Sequence, residues 1–169
     1  FVTCTHCGPR FTLTRRLPYD RPQTSMAPFA MCAACARDYR DPANRRFHAE
    51  PIGCPDCGPA LSHPIETIVD AIRAGRIVAL KGIGGFHLMC DAGNERAVAE
   101  LRRRKAREAK PFAVMVANPA SLDRIAAPTA AERELLARPA RPIVLMQDRG
   151  VLAPQVAPWL ARIGVVLPY

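Results

Sequence analysis

The sequence predicts a small α+β metal-binding region followed by an α/β domain. Six of the seven cysteines fall in three C-x-x-C pairs before residue 60. After Pro64, short apolar segments alternate with amphipathic helical segments, a pattern typical of an α/β sheet. Paired C-x-x-C turns in a chain without a secretory leader favour metal over disulfides. We therefore expect two domains, at residues 1–60 and 61–169.

The composition limits the class of protein and of partner. Hydrophobic residues make up 49% and charged residues 23%, which is a globular composition and excludes a disordered or fibrous chain. No apolar run approaches the roughly 18 residues that span a bilayer, and we expect a cytoplasmic location. The net charge of +9 suits anionic partners such as nucleotides, acyl phosphates or nucleic acid. A general preference for arginine over lysine explains the charge equally well.

A four-cysteine zinc site is the strongest motif. Cys32 and Cys35 form one pair, Cys54 and Cys57 form another, and 18 residues separate the pairs. C-x2-C-x18-C-x2-C is a zinc spacing, and four thiolates give the tetrahedral set of a closed, structural site. A catalytic zinc would keep an open position, so we expect structural zinc. Because apolar residues are sparse in this region, the metal would take the place of a core.

An internal repeat indicates a second site of the same kind. Cys4 and Cys7 match Cys54 and Cys57 at an offset of 50 residues, and Gly-Pro follows both pairs. By this repeat, Cys4 and Cys7 are metal ligands in half of a finger whose other pair would precede residue 1. A competing assignment joins them to the Cys32 pair instead. His48 is an alternative ligand, although a supporting role beside four cysteines fits it better.

The second half shows clear signals for helices and strands. Ile65, Ile68, Val69 and Ile72 share one helical face, and Gly75 suits the end of that helix. Further helices are predicted after Asn94 and after the capping box formed by Thr129 and Glu132, with a short helix at 121–126. Buried strands are predicted at 77–80, 112–116, 143–146 and 163–167.

Two segments of the second half carry features of an anion-binding site. A glycine-rich turn follows the first strand, where backbone N–H groups can approach an anion. A basic run leads from a helix end into a strand and is suited to holding phosphates. The alternatives are a plain tight turn and a solvated helix end, and Cys90 reads as a core residue rather than a nucleophile. The candidate binding residues are Lys81, Gly82, Gly84, Gly85, His87, Lys105, Arg107 and Lys110.

Taken in order, the motifs resemble the HypF family over essentially the whole chain. The resemblance is carried by CTHCGPRFT at 4–12, LPYDRPQTSM at 17–26 and RRFHA at 45–49 in the cysteine region. It continues with KGIGGFHL at 81–88, CDA at 90–92 and RKAREAKPFAVM at 104–115. It implies half of a first C4 finger and a complete second finger, followed by the N-terminal part of a YrdC-like twisted open-sheet domain.

The resemblance also implies an activity. HypF-like proteins are ATP-dependent carbamoyltransferases of [NiFe]-hydrogenase maturation. They use carbamoyl phosphate and ATP, with Mg²⁺ expected, to form carbamoyl adenylate. They then pass the carbamoyl group to the C-terminal cysteine of HypE for cyanide ligand synthesis. By the same resemblance, Lys105, Arg107 and Lys110 line the nucleotide pocket and the glycine-rich turn borders it.

Two further expectations follow. We expect this stretch alone to be inactive, because the family's Ser/Asn phosphate segment would fall after Tyr169. The alternative function is a zinc-dependent, RNA-binding YrdC-like module, which the charge and the zinc motif suit. Aromatic residues make up only 6% of the chain, so a base-stacking platform is poorly supported and nucleic acid is the less favoured partner.

Overall fold

The computed structural model describes residues 11–82 and 85–168, and these pack as two compact units. One unit comprises the described residues up to Ile65 together with the turn around Lys81–Phe86. The other comprises Glu66–Leu80 and the described residues from His87 onward. Three predicted site residues, Cys4, Cys7 and Gly84, lie outside the described residues.

The first unit contains little regular structure. Short 3₁₀ helices at Phe11–Leu13 and Arg21–Gln23 are joined by a bridge between Thr14 and Thr24. The first α-helix, α1, spans Ala33–Arg40. Its apolar interior is small, as the scarcity of apolar residues predicts, and consists of Met26, Cys35, Ala49 and Ile52. Burial on this scale stabilises a fold weakly, so polar contacts and metal must supply much of the rest.

Three α-helices follow Pro64 in the described part of the chain, and their ends confirm the predicted signals. Helix α2 spans Ile65–Arg73, and Gly75 follows with φ 74° while its N–H donates to Ile72 at 2.9 Å. Helix α3 spans Glu95–Arg104, and the Asn94 side chain accepts from the N–H of Ala97 at 3.0 Å. Helix α4 spans Ala130–Ala137 behind the predicted capping box. The apolar face of α2 is not buried, since Ile65 is 63% exposed.

The second unit is built on a mixed four-stranded sheet, which confirms the α/β prediction. Strands β3 (Ala113–Met115), β4 (Ala126–Ala127), β5 (Val144–Asp148) and β6 (Arg162–Val166) lie in the order β3-β6-β5-β4. Strands β3 and β6 are parallel, whereas the other neighbours are antiparallel. One face packs on a core that includes Val98, Val114, Leu122, Leu136, Met146, Val156, Ile163 and Val165. The predicted short helix is 3₁₀, at Pro119–Arg124.

The strands differ from prediction in three places. The strand expected to be buried at 77–80 is β1 (Val78–Lys81), and its residues alternate between half-buried and exposed. It pairs with β2 (Phe86–Met89), whose first two residues fall within the glycine-rich turn that the sequence predicts at 81–87. Strand β4 was also missed. Both missed strands lack a run of buried apolar residues, which was the signal used for the others.

Within the residues that the structure describes, no helix combines the length and apolar character needed to cross a membrane.

Candidate metal centre and basic segment

The Sγ atoms of Cys32, Cys35, Cys54 and Cys57 all lie within 4.8 Å of one another. Two of the separations are known individually, Cys32 to Cys54 and Cys54 to Cys57, and both are 3.7 Å. Four sulfurs placed at about 2.3 Å around a tetrahedral zinc lie about 3.8 Å apart. The two known separations therefore match those of a closed zinc centre, and the donor set fits zinc.

Local structure brings the first pair together. Cys32 is the N-cap of α1, and its sulfur accepts from the backbone N–H of Cys35 at 3.5 Å. A helix N-terminus carries unpaired N–H groups and partial positive charge, both of which favour a thiolate. Cys35 lies in the first helical turn and is 1% exposed, so the cluster is closed on that side.

The second pair depends on a tight turn with glycine on each side. The carbonyl oxygen of Cys54 accepts from the N–H of Cys57 at 3.2 Å and of Gly58 at 2.7 Å. A Cβ at Gly58 would lie 3.0 Å from that same oxygen, and one at Gly53 would lie 3.2 Å from the Cα of Gly58. The close approach of the backbone therefore favours glycine after the second cysteine, because any Cβ there would be in tight contact.

The thiols differ in acidity. Burial raises the pKa of Cys35 to about 12, with hydrogen bonds to the other three thiols adding to the effect. Backbone hydrogen bonds from Cys32 and Cys54 lower the pKa of Cys57 to about 6. Metal binding requires thiolates, so a cation that binds here must displace the proton that burial favours on Cys35.

A buried polar network that the sequence does not predict joins Arg21 and Phe29 to the region around the metal centre. The guanidinium of Arg21 donates to the carbonyl oxygens of Phe29 at 2.7 Å, Glu50 at 2.8 Å and Ile52 at 2.6 Å. The Tyr39 hydroxyl donates to Oε1 of Glu50 at 2.8 Å. Arg21 and Glu50 are 8% and 5% exposed. They are 29 residues apart, so no local pattern could have paired them.

His48 lies outside the group of four thiols. Its ring packs at 4.9 Å from Tyr39 and 4.4 Å from Phe47, and Nδ1 lies 4.0 Å from Oε1 of Glu50. Its side chain is 61% exposed. This position agrees with the supporting role and not with the alternative of His48 as a ligand.

The basic segment is organised around Arg102, which the sequence analysis had not singled out. Its Nη1 donates to the carbonyl oxygens of Arg107 at 2.6 Å, Glu108 at 3.2 Å and Lys110 at 3.3 Å. Its Nε donates to the carbonyl oxygen of Gln155 at 3.1 Å. Arg102 is 8% exposed, and burial lowers its pKa, assisted by the nearby charge of Arg107. One buried cation therefore folds the loop that carries the candidate phosphate-binding residues.

The three predicted cations in this loop have different surroundings. Arg107 is half-buried, and it donates to the carbonyl oxygens of Lys110 at 2.9 Å and Pro111 at 2.6 Å. Its guanidinium also lies 5.0 Å from the Phe112 ring centroid. Arg107 is therefore engaged within the protein, unlike a cation that is free to meet a ligand. Lys105 and Lys110 are exposed. Of the three, the two lysines are thus the better candidates to contact a ligand.

The glycine-rich turn belongs to the first unit, as far as it is described, and the basic segment to the second. Lys81 Nζ lies 5.4 Å from the ring centroid of Phe86. The N–H of Gly82 donates to the carbonyl oxygen of Gly85 at 2.9 Å, so this donor already has a partner within the turn. A Cβ at Gly85 would meet open space. His87 lies exposed in β2 rather than in the turn.

Two family models match the chain. Residues 70–169 match the Sua5/YciO/YrdC family, described as telomere recombination. Residues 31–63, which include all four cysteines of the metal centre, match the HypF finger. The first match covers more than half of the chain, and the second accounts for the cysteine spacing.

Curated relatives and solved structures agree with these models. The chain is 55% identical over 179 residues to carbamoyltransferase HypF of Rhodobacter capsulatus and 60% identical over 170 residues to that of Rhizobium leguminosarum bv. viciae. All of this chain is covered, but it spans only 24% and 22% of those proteins. It matches the crystal structure of T. kodakarensis HypF at 45% identity with a TM-score of 0.89, covering 99% of this chain and 24% of that one.

A second solved structure, full-length HypF in the phosphate- and nucleotide-bound form, matches with a TM-score of 0.87 and 46% identity. That match covers 100% of this chain and 24% of the other. At 45–46% sequence identity, the two solved structures resemble this chain in sequence as well as in fold.

Proposed function

The chain belongs to the Sua5/YciO/YrdC family, and from this membership we propose that it is the zinc-finger and nucleotide-handling part of an ATP-dependent carbamoyltransferase. The observation that carries the proposal is the match of the whole chain, at up to 60% identity, to proteins named carbamoyltransferase HypF. The chain spans about a quarter of their length, so the activity is proposed for a longer protein that contains it.

The proposed reaction begins with carbamate derived from carbamoyl phosphate. A carbamate oxygen attacks the α-phosphorus of ATP. The bond between the α-phosphorus and the oxygen that bridges it to the β-phosphorus breaks, and pyrophosphate leaves with that electron pair. The product is carbamoyl adenylate. Since the attacking group is already an anion, no general base is needed, and catalysis rests on holding the triphosphate charge in place.

Lys105 and Lys110 are proposed to supply that charge. Both are exposed on a loop whose backbone is fixed by the buried guanidinium of Arg102. A fixed loop presents its cations with little reorganisation when the ligand binds. Arg107 is proposed to act mainly by holding the end of the loop, because its guanidinium already bonds two carbonyl oxygens. Mg²⁺ is expected to accompany ATP and to neutralise part of its charge.

The remaining features are proposed on family grounds. The carbamoyl group would pass to the C-terminal cysteine of HypE as a step towards cyanide ligands. Residues 1–60 would form the finger domain and residues 61–169 the first part of the nucleotide domain. Zinc would occupy the site of Cys32, Cys35, Cys54 and Cys57, which forms the complete second finger, while Cys4 and Cys7 would belong to half of the first finger. Zinc analysis of this chain should then give one tightly bound ion.

The test is ATP–pyrophosphate exchange that depends on carbamoyl phosphate, measured in a full-length carbamoyltransferase that contains this sequence. Lys105→Ala and Lys110→Ala should each reduce exchange roughly 10- to 100-fold, the effect of losing one charge-assisted contact. Arg73→Ala is the control, because Arg73 is a 77% exposed cation on α2. Unchanged exchange in both lysine variants would remove these residues from the site, and absence of exchange in the parent protein would overturn the activity itself.

A further inference from the structure

The guanidinium of Arg46 contacts both halves of the four-cysteine centre. Its Nη1 lies 3.1 Å from Oδ2 of Asp38, one helical turn beyond Cys35 on α1. Its Nη2 donates at 2.9 Å to the carbonyl oxygen of Gly53, the residue before Cys54. The same Nη2 lies 3.8 Å from Sγ of Cys35, within hydrogen-bond range for sulfur. One side chain thus reaches the helix, the turn and a ligand atom.

Arg46 holds this position in a largely buried setting. Its side chain is 16% exposed, and the sulfur that it meets belongs to a residue that is 1% exposed. Its Nε is buried and has no hydrogen-bond partner among the described residues. The Nη groups alone therefore orient the guanidinium. A planar fork that bonds two acceptors and a sulfur at once is a geometry that a lysine ammonium cannot reproduce.

The charges around Arg46 indicate what it contributes. The carboxylate of Asp38 offsets the guanidinium charge, so the pair adds little net charge to the centre. The contribution of Arg46 is therefore geometric, because its contacts with Asp38 and Gly53 direct an N–H group at the Cys35 sulfur. Hydrogen bonds of this kind, from residues behind the ligands, orient metal ligands and tune how strongly they donate to the metal.

We propose that Arg46 is a positioning residue for the zinc centre, which locks the two cysteine pairs in register and hydrogen-bonds the Cys35 thiolate. This inference rests on the proposed zinc site and is independent of the carbamoyl-transfer reaction. It assigns a role to the second arginine of the Arg45-Arg46 pair, which the cysteine spacing alone does not single out.

The test compares metal binding by the full chain with and without the Arg46 fork. Arg46→Gln should weaken zinc in chelator competition by about 10- to 100-fold. In the cobalt-substituted chain, it should also shift the thiolate-to-cobalt charge-transfer band, because a sulfur relieved of a hydrogen bond donates more strongly. Arg46→Lys keeps the charge and much of the stem, and should recover only part of the affinity. If Arg46→Gln does not fold, Arg46→Lys alone carries the comparison.

Two controls separate positioning from general destabilisation. Ile52→Val trims a fully buried side chain of the same unit that is not one of the four ligands, and Arg40→Gln removes an exposed cation from α1. Both should leave the cobalt band in place. Wild-type affinity and spectrum in the Arg46 variants would overturn the proposal, as would the same band shift in Ile52→Val. Failure of the unaltered chain to bind zinc or cobalt would instead remove the metal site, and Arg46's role with it.

Discussion

The backbone N–H of Arg21 donates to Oε2 of Glu50 at 2.6 Å, while the Arg21 guanidinium bonds the carbonyl oxygen of the same glutamate at 2.8 Å. Arg21 therefore bonds Glu50 through both its backbone N–H and its side chain, although the two residues lie 29 positions apart in the sequence. In a unit with so small an apolar interior, this buried pair is a principal long-range connection.

Removing the carboxylate should destabilise the first unit. Glu50→Ala leaves the buried N–H of Arg21 and the hydroxyl of Tyr39 without acceptors, while the Arg21 guanidinium keeps its backbone carbonyl partners. Leaving these two donors unsatisfied costs about 3 kcal/mol of the free energy of unfolding. Urea unfolding of the zinc-loaded chain measures it. Glu134→Ala, at an 80% exposed site on α4, should change stability by less than about 0.5 kcal/mol. Equal effects of the two substitutions would contradict the importance of the pair.

The acidity of Tyr39 provides a separate test of the same network. Burial, reinforced by the hydrogen bond to Glu50, raises the pKa of Tyr39 from 10.0 to about 12. The folded state therefore keeps its proton after the unfolded chain has lost it. The contribution to stability is full below pH 10 and is lost as the pH rises towards 12. The ultraviolet absorbance of tyrosinate should show a late-titrating component that is absent in Tyr39→Phe. Glu50→Gln should lower that late pKa, and no change there would assign the shift to burial alone.

The turn at the second cysteine pair should not tolerate a methyl group. In Gly58→Ala the new Cβ would lie 3.0 Å from the carbonyl oxygen of Cys54, which already accepts two N–H bonds in the turn. The backbone of the turn has to give by a few tenths of an ångström to admit the methyl group, and this displaces the sulfurs of Cys54 and Cys57 from their alignment. We expect weaker zinc binding by roughly tenfold or more, measured by chelator competition. Gly93→Ala is the matched control, since its Cβ would meet only a side-chain oxygen at 3.4 Å.

Arg102 should be needed for the order of the basic loop. Arg102→Met keeps much of the apolar stem but leaves the carbonyl oxygens of Arg107, Glu108, Lys110 and Gln155 without this donor. We expect a loss of about 3 kcal/mol in unfolding free energy and faster amide hydrogen exchange across residues 105–111. Arg103→Met, a change at a 72% exposed neighbour, should do neither. Unaltered exchange in Arg102→Met would show that the loop is ordered by other contacts.

The features predicted correctly are those encoded within a few residues. The cysteine quartet follows from two four-residue turns with a fixed spacing, and the starts of α3 and α4 follow from side chains that bond the backbone three residues on. Gly75 likewise ends α2 through its own φ of 74°. Each of these features depends on the geometry of a few neighbouring residues, and the types and spacing of those residues can be read from the sequence.

The features that were missed depend on distant partners or on backbone acceptors. Arg102 bonds backbone carbonyl oxygens. Because every residue has one, the amino-acid sequence does not identify which residues are its partners. Arg21 and Glu50 meet across 29 positions. Strand β4 is two residues long and owes its identity to pairing with β5. In the sequence these residues look like ordinary charged or short segments. In the folded chain they connect parts that are distant in the sequence.

The parallel neighbours β3 and β6 also constrain how the molecule forms. Ala113 pairs with Gly164, so β3 leaves the ribosome long before the strand that completes it. Strands β4, β5 and β6 can pair through nearer neighbours, but β3 must wait on a long loop closure that is costly in entropy. Until then Val114, a core residue, has no sheet to cover it. The newly made chain therefore passes through an interval in which the edge and the apolar face of β3 are exposed.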